Sequence, residues 1–467
     1  MKIDPQPLLA WLPHKRWFGH GDARLLGIGV VDETILDDGP PALVLAIVSV
    51  NVAGRPTCYQ LPLLVAEDGT VTDATEEPDR LKVFGELMSH GDSVKGEHGV
   101  FHFGGPGLDP MAPPPGSTSI RVVDAEQSNT SIVLDEEIIF KFFRRVEGGE
   151  NPDLELNRLL TSEGFDHVPP QVGEATYEGT IDGDELVMDL GIAQQLIPDA
   201  SEGWTWLLAK LHKMYDEVDP ADLAEDRAFL LTERSAETLD ALGELGDVTA
   251  SMHVALARND SDPALVPEAM DETDLEALRD RISGSLEFAP ADALKGIARV
   301  IKKLPTLEAA GAKIRIHGDY HLGQVLRSGR GWMVLDFEGE PLRSLDDRRA
   351  KQSPLKDVAG MLRSFNYAAI ATLFERTEPH SDEWQRLQPW AESWETLARD
   401  RFLHAYLTRA HEGRFLPGDR TVLAVLLEAF EIEKALYELE YERGHRPDWV
   451  RIPERGIVAA IERSLPE

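Results

Sequence analysis

The spacing of apolar and polar positions divides the chain into a strand-rich front and a helix-rich back. Residues 7–20 begin with a helical pattern (Leu8, Leu9, Trp11, Leu12) that Pro13 ends. Apolar runs at 25–31, 42–50 and 59–65 predict a meander of strands. The longest run, Ala42 to Val50, is far too short to span a bilayer and reads as a buried strand. Acidic and Gly/Pro-rich stretches follow at 67–80 and 104–116, and Met111-Ala112-Pro113-Pro114-Pro115-Gly116 is the clearest break in the chain. Beyond it, strands are expected at 119–123, 131–134 and 137–143, then a helix opening near Asn151-Pro152-Asp153, then strands near 171–178 and 185–197. From Trp204 helical periodicity dominates, over 204–215, 221–257, 272–304, 357–376, 386–411 and 420–443, interrupted by strands around 314–336.

Composition adds bounds to this α+β pattern. A chain of 467 residues has material for two or three domains. Its formal charge of -36 argues against nucleic acid or an anionic membrane as a partner of the bulk surface. The same charge means that any polyphosphate ligand would need local cations, from magnesium or placed Lys and Arg side chains. One cysteine, Cys58, excludes an intramolecular disulfide. Met1 to Pro7 carries no signal-peptide core, so the cytoplasm is the expected compartment.

The chemistry is concentrated in His317-Gly318-Asp319-Tyr320-His321-Leu322-Gly323-Gln324, followed by Asp336-Phe337-Glu338. Asp319 and Gln324 are five residues apart on an expected loop, and Asp336 follows seventeen residues after Asp319, delivered by an apolar run. That is the order of a kinase phosphotransfer site: an acid for the acceptor hydroxyl, an amide for metal, an acid for metal. Gln324 stands where a protein kinase has Asn, and its amide oxygen still suits a hard cation. Glu338 either joins Gln324 and Asp336 around the metal or is a turn carboxylate. His317 and His321, four apart, either pin the loop by hydrogen bonds or form a zinc pair, although the flanking glycines and the missing H-E-x-x-H disfavour zinc. With Asp319 and Tyr320 they are expected to form the acceptor side of the loop.

For the nucleotide, Lys141 lies within the apolar strand Ile138–Phe143, and Glu155 follows fourteen residues later in a helix that Asn151 could cap with Pro152 in first position. A Lys141–Glu155 pair would hold the amine toward the α- and β-phosphates. Before this strand there is no glycine loop. Gln127, Ser128, Asn129 and Ser131 offer amides and hydroxyls to phosphate, or make an ordinary polar turn. Gln195 and Ile197, where two lobes would join, are expected to present backbone to adenine. Late in the chain, Glu433, Tyr437 and Tyr441 share one helical face and suit a sugar pocket, with an amphipathic packing helix as the alternative.

These residues together resemble the actinobacterial maltokinases. The resemblance covers most of the chain: Trp11-Leu12-Pro13-His14-Lys15-Arg16-Trp17-Phe18, Gln127–Ser131, Lys141 with Asn151–Glu155, His317–Gln324, Asp336–Pro341, Ser353–Ser364, Glu433–Glu438, and Arg446-Pro447 with Trp449. It implies a bilobal, eukaryotic-protein-kinase-like α+β fold with an N-terminal cap and a helix-rich C-lobe. The corresponding segments are a cap and connecting region at 1–116, a strand-rich nucleotide-binding lobe at 117–200, and a helical lobe with the catalytic and sugar sites at 201–467. It also implies ATP- and magnesium-dependent phosphorylation of maltose to maltose 1-phosphate on a route from trehalose to α-glucan, with association with trehalose synthase. Where the family has Leu after the catalytic Asp, this chain has Tyr320, expected near the acceptor sugar. Bacterial glucosamine kinases share the H-G-D and D-F-E motifs, which leaves glucosamine as the alternative acceptor. A pseudokinase sensor is the alternative from another functional class.

Overall fold

A computed structural model describes residues 3–18, 25–52, 54–104, 119–123, 129–181, 183–219, 226–259, 262–340 and 343–462. The break at Met111–Gly116, with the expected segment boundary at 116, lies outside the described residues, as do Gln127 and Ser128. The chain forms two compact units. One comprises Met1–Arg158, Pro169–Pro198 and Pro341–Leu345, and the other Leu159–Val168, Asp199–Glu340 and Asp346–Glu467.

The first unit is built on two antiparallel sheets. Strands β1 (Leu25–Asp37), β2 (Ala42–Val52) and β3 (Arg55–Val65) form the expected meander, and β4 (Val71–Asp73) pairs with β3. The second sheet starts with β5 (Ser93–Lys95), β6 (Gly99–Gly104), β7 (Ile120–Val123), β8 (Thr130–Leu134) and β9 (Ile138–Phe142). The chain then returns briefly to the first sheet, where β10 (Arg145–Val146) pairs with β3. With β11 (Gln171–Ile181) and β12 (Asp184–Gln195), the second sheet runs in the order β5-β6-β11-β12-β9-β8-β7.

The unbroken apolar run in β2 has a direct structural cause: both faces of the strand are buried. Leu43, Leu45 and Ile47 enter a core with Phe84, Phe101, Ile132 and Phe140 of the second sheet and its flanking helix. Val44, Ala46, Val48 and Val50 face the opposite way, against Ile3, Leu8, Leu12 and Phe18 of the N-terminal segment. Side chains alternate across a strand, so a strand covered on both sides loses the polar half of its pattern.

Two buried polar groups join the sheets. Arg144, fully buried, pairs with Asp73 of the first sheet at 3.2 Å and donates to Thr130 Oγ1 of the second at 2.9 Å. Asp32 in β1 accepts hydrogen bonds from Tyr177 Oη in β11 at 2.9 Å and from the Glu97 and His98 amides at 2.6 and 3.1 Å. Helix α1 (Gln6–Trp11) belongs to the N-terminal segment, and α2 (Lys82–His90) follows the first sheet. Helix α3 (Pro152–Ser162) opens as expected, with Asn151 Oδ1 accepting from the Asp153 amide at 2.9 Å. Sequence periodicity missed α2, β5 and β6, which are short and lie amid acidic and glycine-rich stretches.

The second unit is mainly helical: α4 (Gly203–Asp216), α5 (Arg227–Arg234), α6 (Ala236–Leu256), α7 (Glu272–Gly284), α8 (Leu294–Lys303), α9 (Leu345–Arg349), α10 (Leu355–Arg376), α11 (Asp382–Ala410), α12 (Arg420–His445) and α13 (Arg451–Glu462). Two expected long helices are each divided. The pattern over 221–257 breaks at Ser235, and that over 272–304 breaks after Gly284, before Pro290, where no helix hydrogen bond could be donated. A hairpin, Val325–Ser328 with Gly331–Val334, supplies the strands expected around 314–336. Among the described residues, no helix is long and apolar enough to cross a membrane.

Within the first unit, Asp189 in β12 is 7% exposed and accepts the Asn151 amide at 2.6 Å, at the entry to α3. Burial pushes its carboxyl up to about 6 from 3.8, only partly countered by the Asn151 amide and Arg158. Between those two values the folded chain binds the proton more tightly than the unfolded one. The contribution of this group to stability therefore falls as pH rises through that window. Asp189→Asn, which keeps a carbonyl acceptor, should be more stable than the parent by about 2 kcal/mol near pH 8, with the difference vanishing below about pH 4. Chemical denaturation at the two pH values checks this, and an equal difference at both would remove the charge of Asp189 as its cause.

Candidate active site

The H-G-D loop is held from behind by one carboxylate. Asp357, in the first turn of α10, accepts the His317 amide through Oδ2 at 2.8 Å and the Gly318 amide through Oδ1 at 2.9 Å. Gly318 adopts φ +87, a conformation that side-chain-bearing residues rarely take. His253 on α6 also contacts Asp357 Oδ2 at 3.1 Å, and its other ring nitrogen meets Tyr406 Oη at 3.0 Å. Burial alone would raise the Asp357 carboxyl, but these donors and the neighbouring histidines hold it below the usual range. On the far side, α10 comes so close to the loop that a Cβ at Gly360 would sit 2.5 Å from the Tyr320 carbonyl.

The loop corrects two acceptor-side expectations. His317 is 1% exposed; its Nε2 bonds the Leu335 carbonyl at 2.8 Å and its Nδ1 accepts from the Asp319 amide at 3.4 Å. Both ring nitrogens are thus used within the protein, so His317 pins the loop instead of touching a sugar. Tyr320 is buried as well, its hydroxyl 2.9 Å from Thr249 Oγ1, and burial raises its pKa. An aromatic ring after Asp319 therefore serves the core beneath the loop. The zinc alternative fails on the same geometry, because His321 Nδ1 accepts the Gly323 amide at 3.0 Å and caps the turn Leu322–Gln324.

Three side chains remain at the open side. Asp319 lies 3.5 Å from Lys434 Nζ on α12 and 3.9 Å from His321 Nε2. Burial and Asp336 act to raise the Asp319 pKa, but Lys434, His321 and His317 together bring it below the ordinary value. His321 moves down, chiefly through burial, so it is neutral near pH 7. The arrangement presents an ionised carboxylate that can accept a hydroxyl proton or orient the hydroxyl.

Beside it, Gln324 Nε2 donates to Asp336 Oδ2 at 3.3 Å, which leaves the amide oxygen as the group suited to a cation. Asp336 has φ +62, an unusual conformation for a residue with a Cβ and one that clusters at functional sites. Asp336 and Glu338 offer carboxylate oxygens within 4.8 Å of each other. Carboxylates plus an amide oxygen form the hard donor set of magnesium, so the residues fit that ion.

Helix α12 corrects the expected sugar face. Glu433 is turned toward α7, where it pairs with Arg281. Tyr441 is exposed and stacks on His445 with ring centres 4.3 Å apart. The residue at the catalytic loop is Lys434, one position and about 100° further round the helix from Glu433. Tyr437, exposed, lies 5.4 Å below the Lys434 ammonium and is the aromatic of the expected set near Asp319. Lys434 and Glu438 are i, i+4, and Glu438 pairs with Arg363 of α10 at 2.9 Å.

In the first unit, Lys141 in β9 pairs with Asp153 Oδ2 at 3.1 Å, two residues before the expected Glu155. Glu155 is buried in the same first turn of α3. Ser131 in β8 lies opposite Lys141 in the strand register and is buried, as is Asn129. The Gln195 amide is engaged by the Pro170 carbonyl at 2.9 Å, the Leu196 amide by the Glu137 carbonyl at 2.7 Å, and Ile197 is buried.

Residues 207–390 match the phosphotransferase enzyme family, and residues 11–83 match the maltokinase N-terminal cap domain. The chain is a kinase-like phosphotransferase with a maltokinase-type cap. This capped phosphotransferase is 27% identical over 352 residues to a glucosamine kinase of Mycolicibacterium smegmatis, covering 73% of this chain and 79% of that protein. It is 29% identical over 358 residues to a glucosamine kinase of Streptacidiphilus jiangxiensis, covering 74% and 75%. Its fold is that of a glucosamine kinase solved with glucosamine, ADP and inorganic phosphate, at TM-score 0.65 and 22% identity over 98% of this chain and 99% of that one.

Replacing Asp357 with Ala would strip the acceptor from two buried amides, at about 1–3 kcal/mol each. Asp357→Ala is therefore expected to lower unfolding stability by about 3 kcal/mol and turnover by at least about tenfold. Urea denaturation and kinetics on the folded fraction check both. Unaltered turnover would show that the loop keeps its shape without this brace.

Proposed function

We propose that the capped phosphotransferase transfers the γ-phosphoryl group of ATP to the anomeric hydroxyl of maltose, giving maltose 1-phosphate. The observation that carries the reading is the ionised Asp319 on the same loop as Gln324, itself hydrogen-bonded to Asp336 at 3.3 Å. An acid for the acceptor and an amide–acid pair for metal are the two requirements of in-line phosphoryl transfer that a protein must supply. Asp319 orients the sugar hydroxyl and receives its proton, while neutral His321 flanks it. Gln324, Asp336 and Glu338 hold magnesium, which offsets phosphate charge in this acidic protein. Lys141, fixed by Asp153, meets the ATP phosphates, with Asn129 and Ser131 on the adjoining strand. Tyr437 supplies an exposed ring for the acceptor sugar.

The cap match supports maltose as acceptor. A place in α-glucan synthesis from trehalose, an association with trehalose synthase and work in the cytoplasm belong to the same proposal. A second reading, glucosamine as acceptor, is favoured by the names of the two relatives. ADP release measured with maltose, glucosamine, glucose and an aminoglycoside in parallel decides between them. Turnover of none of these in the presence of ATP and magnesium would sink the kinase reading in favour of a sensor.

Two variants test the roles. Asp319→Asn should lower kcat by about a hundredfold or more while leaving ATP affinity nearly intact. Near-parental turnover would take Asp319 out of the mechanism. Asp336→Ala should abolish the magnesium dependence of ATP binding, read by calorimetry with and without the ion. An undiminished magnesium effect would move the ligand role to Glu338.

A further inference from the structure

Lys434 has no part in the phosphotransfer roles assigned above, yet its ammonium lies beside the acceptor acid. The Nζ–Oδ1 distance to Asp319 is 3.5 Å, and the two side chains are 27% and 25% exposed, so solvent and ligands reach both. Two further acids act on Lys434, Glu438 and Glu340, but each has a cation of its own. Arg363 holds Glu438 at 2.9 Å, and Lys356 lies 3.9 Å from Glu340. Apart from the carboxylates Asp336 and Glu338, assigned above to magnesium, the charges named here fall into pairs: Lys434 with Asp319, Arg363 with Glu438, Lys356 with Glu340. An amino sugar bound through its ammonium at Asp319 would bring a second cation against the Lys434 ammonium, a like-charge contact that disfavours it. A neutral hydroxyl requires less. It needs one acceptor lone pair, and Asp319 still turns Oδ2 toward His321 rather than Lys434.

We propose that Lys434 is a specificity-determining residue: it takes the place beside Asp319 that the ammonium of an amino sugar would occupy, and so selects neutral hydroxylated sugars as acceptors. This rests on the reading of Asp319 as the acid that receives the acceptor. It deepens that reading by assigning the class of substrate.

The test compares the parent protein with Lys434→Met and Lys434→Arg, using glucose, glucosamine and N-acetylglucosamine at a pH where the free amine is protonated. The parent should favour glucose over glucosamine. Lys434→Met should raise the glucosamine-to-glucose ratio of kcat/KM by about tenfold or more, equivalent to about 1.4 kcal/mol. Lys434→Arg, which keeps the charge, should leave that ratio within about twofold of the parent value. N-acetylglucosamine has the same skeleton without the charge and should not share the gain, which separates charge from space. A ratio that stays constant or falls in Lys434→Met overturns the proposal, as does a parent that favours glucosamine. If Lys434→Met fails to fold, Lys434→Gln provides the same readout. No turnover by the parent of these three sugars or of maltose, assayed alongside them, is a different failure: it removes the kinase reading and this assignment with it.

Discussion

The Asp357 carboxylate is the constraint on which the site depends. Two backbone amides in succession, His317 and Gly318, point into the protein and end on its two oxygens. Without an acceptor those amides would be buried and unpaired, and the loop would have to turn elsewhere to find one. With it, the next residue, Asp319, emerges on the open side. The constraint reaches further back, because Asp357 also meets His253, and His253 meets Tyr406. Helices α6, α10 and α11 thus fix one carboxylate, and that carboxylate fixes the direction of the loop. His317 ties the same loop to the Leu335 carbonyl, next to Asp336, so Asp319 and Asp336 share one anchor.

The same device recurs in the first unit. Asp32 gathers three amides and a tyrosine hydroxyl, and Asp73 is matched by Arg144. A chain of formal charge -36 keeps its buried anions only where donors or cations are already in place. At Asp189 the Asn151 amide and Arg158 do not offset burial, with Glu150 and Glu174 adding to it, and the carboxyl is pushed up.

The sequence was legible wherever one local rule decided the outcome. The apolar runs marked β1 to β3, and the Asn151-Pro152 pair marked the start of α3 through its cap. The spacing of Asp319, Gln324 and Asp336 brought out the centre of the site because those residues lie on one loop and the hairpin after it. What stayed hidden depended on rotation or long-range packing. Periodicity identifies helix α12 but does not say which stripe faces the loop, so the sequence favours Glu433 where Lys434 sits. Tyr320 and His317 carry functional-looking side chains inside a motif, and only packing shows them turned inward. Asp153 and Glu155 occupy the same first helical turn, and nothing local in the sequence singles out Asp153 as a partner of Lys141.

The cap match ends at residue 83, whereas the first sheet does not end as a folding body there. Leu43, Leu45, Ile47 and Leu64 share one core with Phe101, Ile132 and Phe140, and Asp73 waits for a guanidinium that arrives only at Arg144. A chimera joined at residue 83 would set one enzyme's inner strand face against another's sheet, with every large side chain and the buried charge pair needing to fit by chance. Such grafts should therefore be cut beyond β12, so that the whole sandwich travels as the inherited piece.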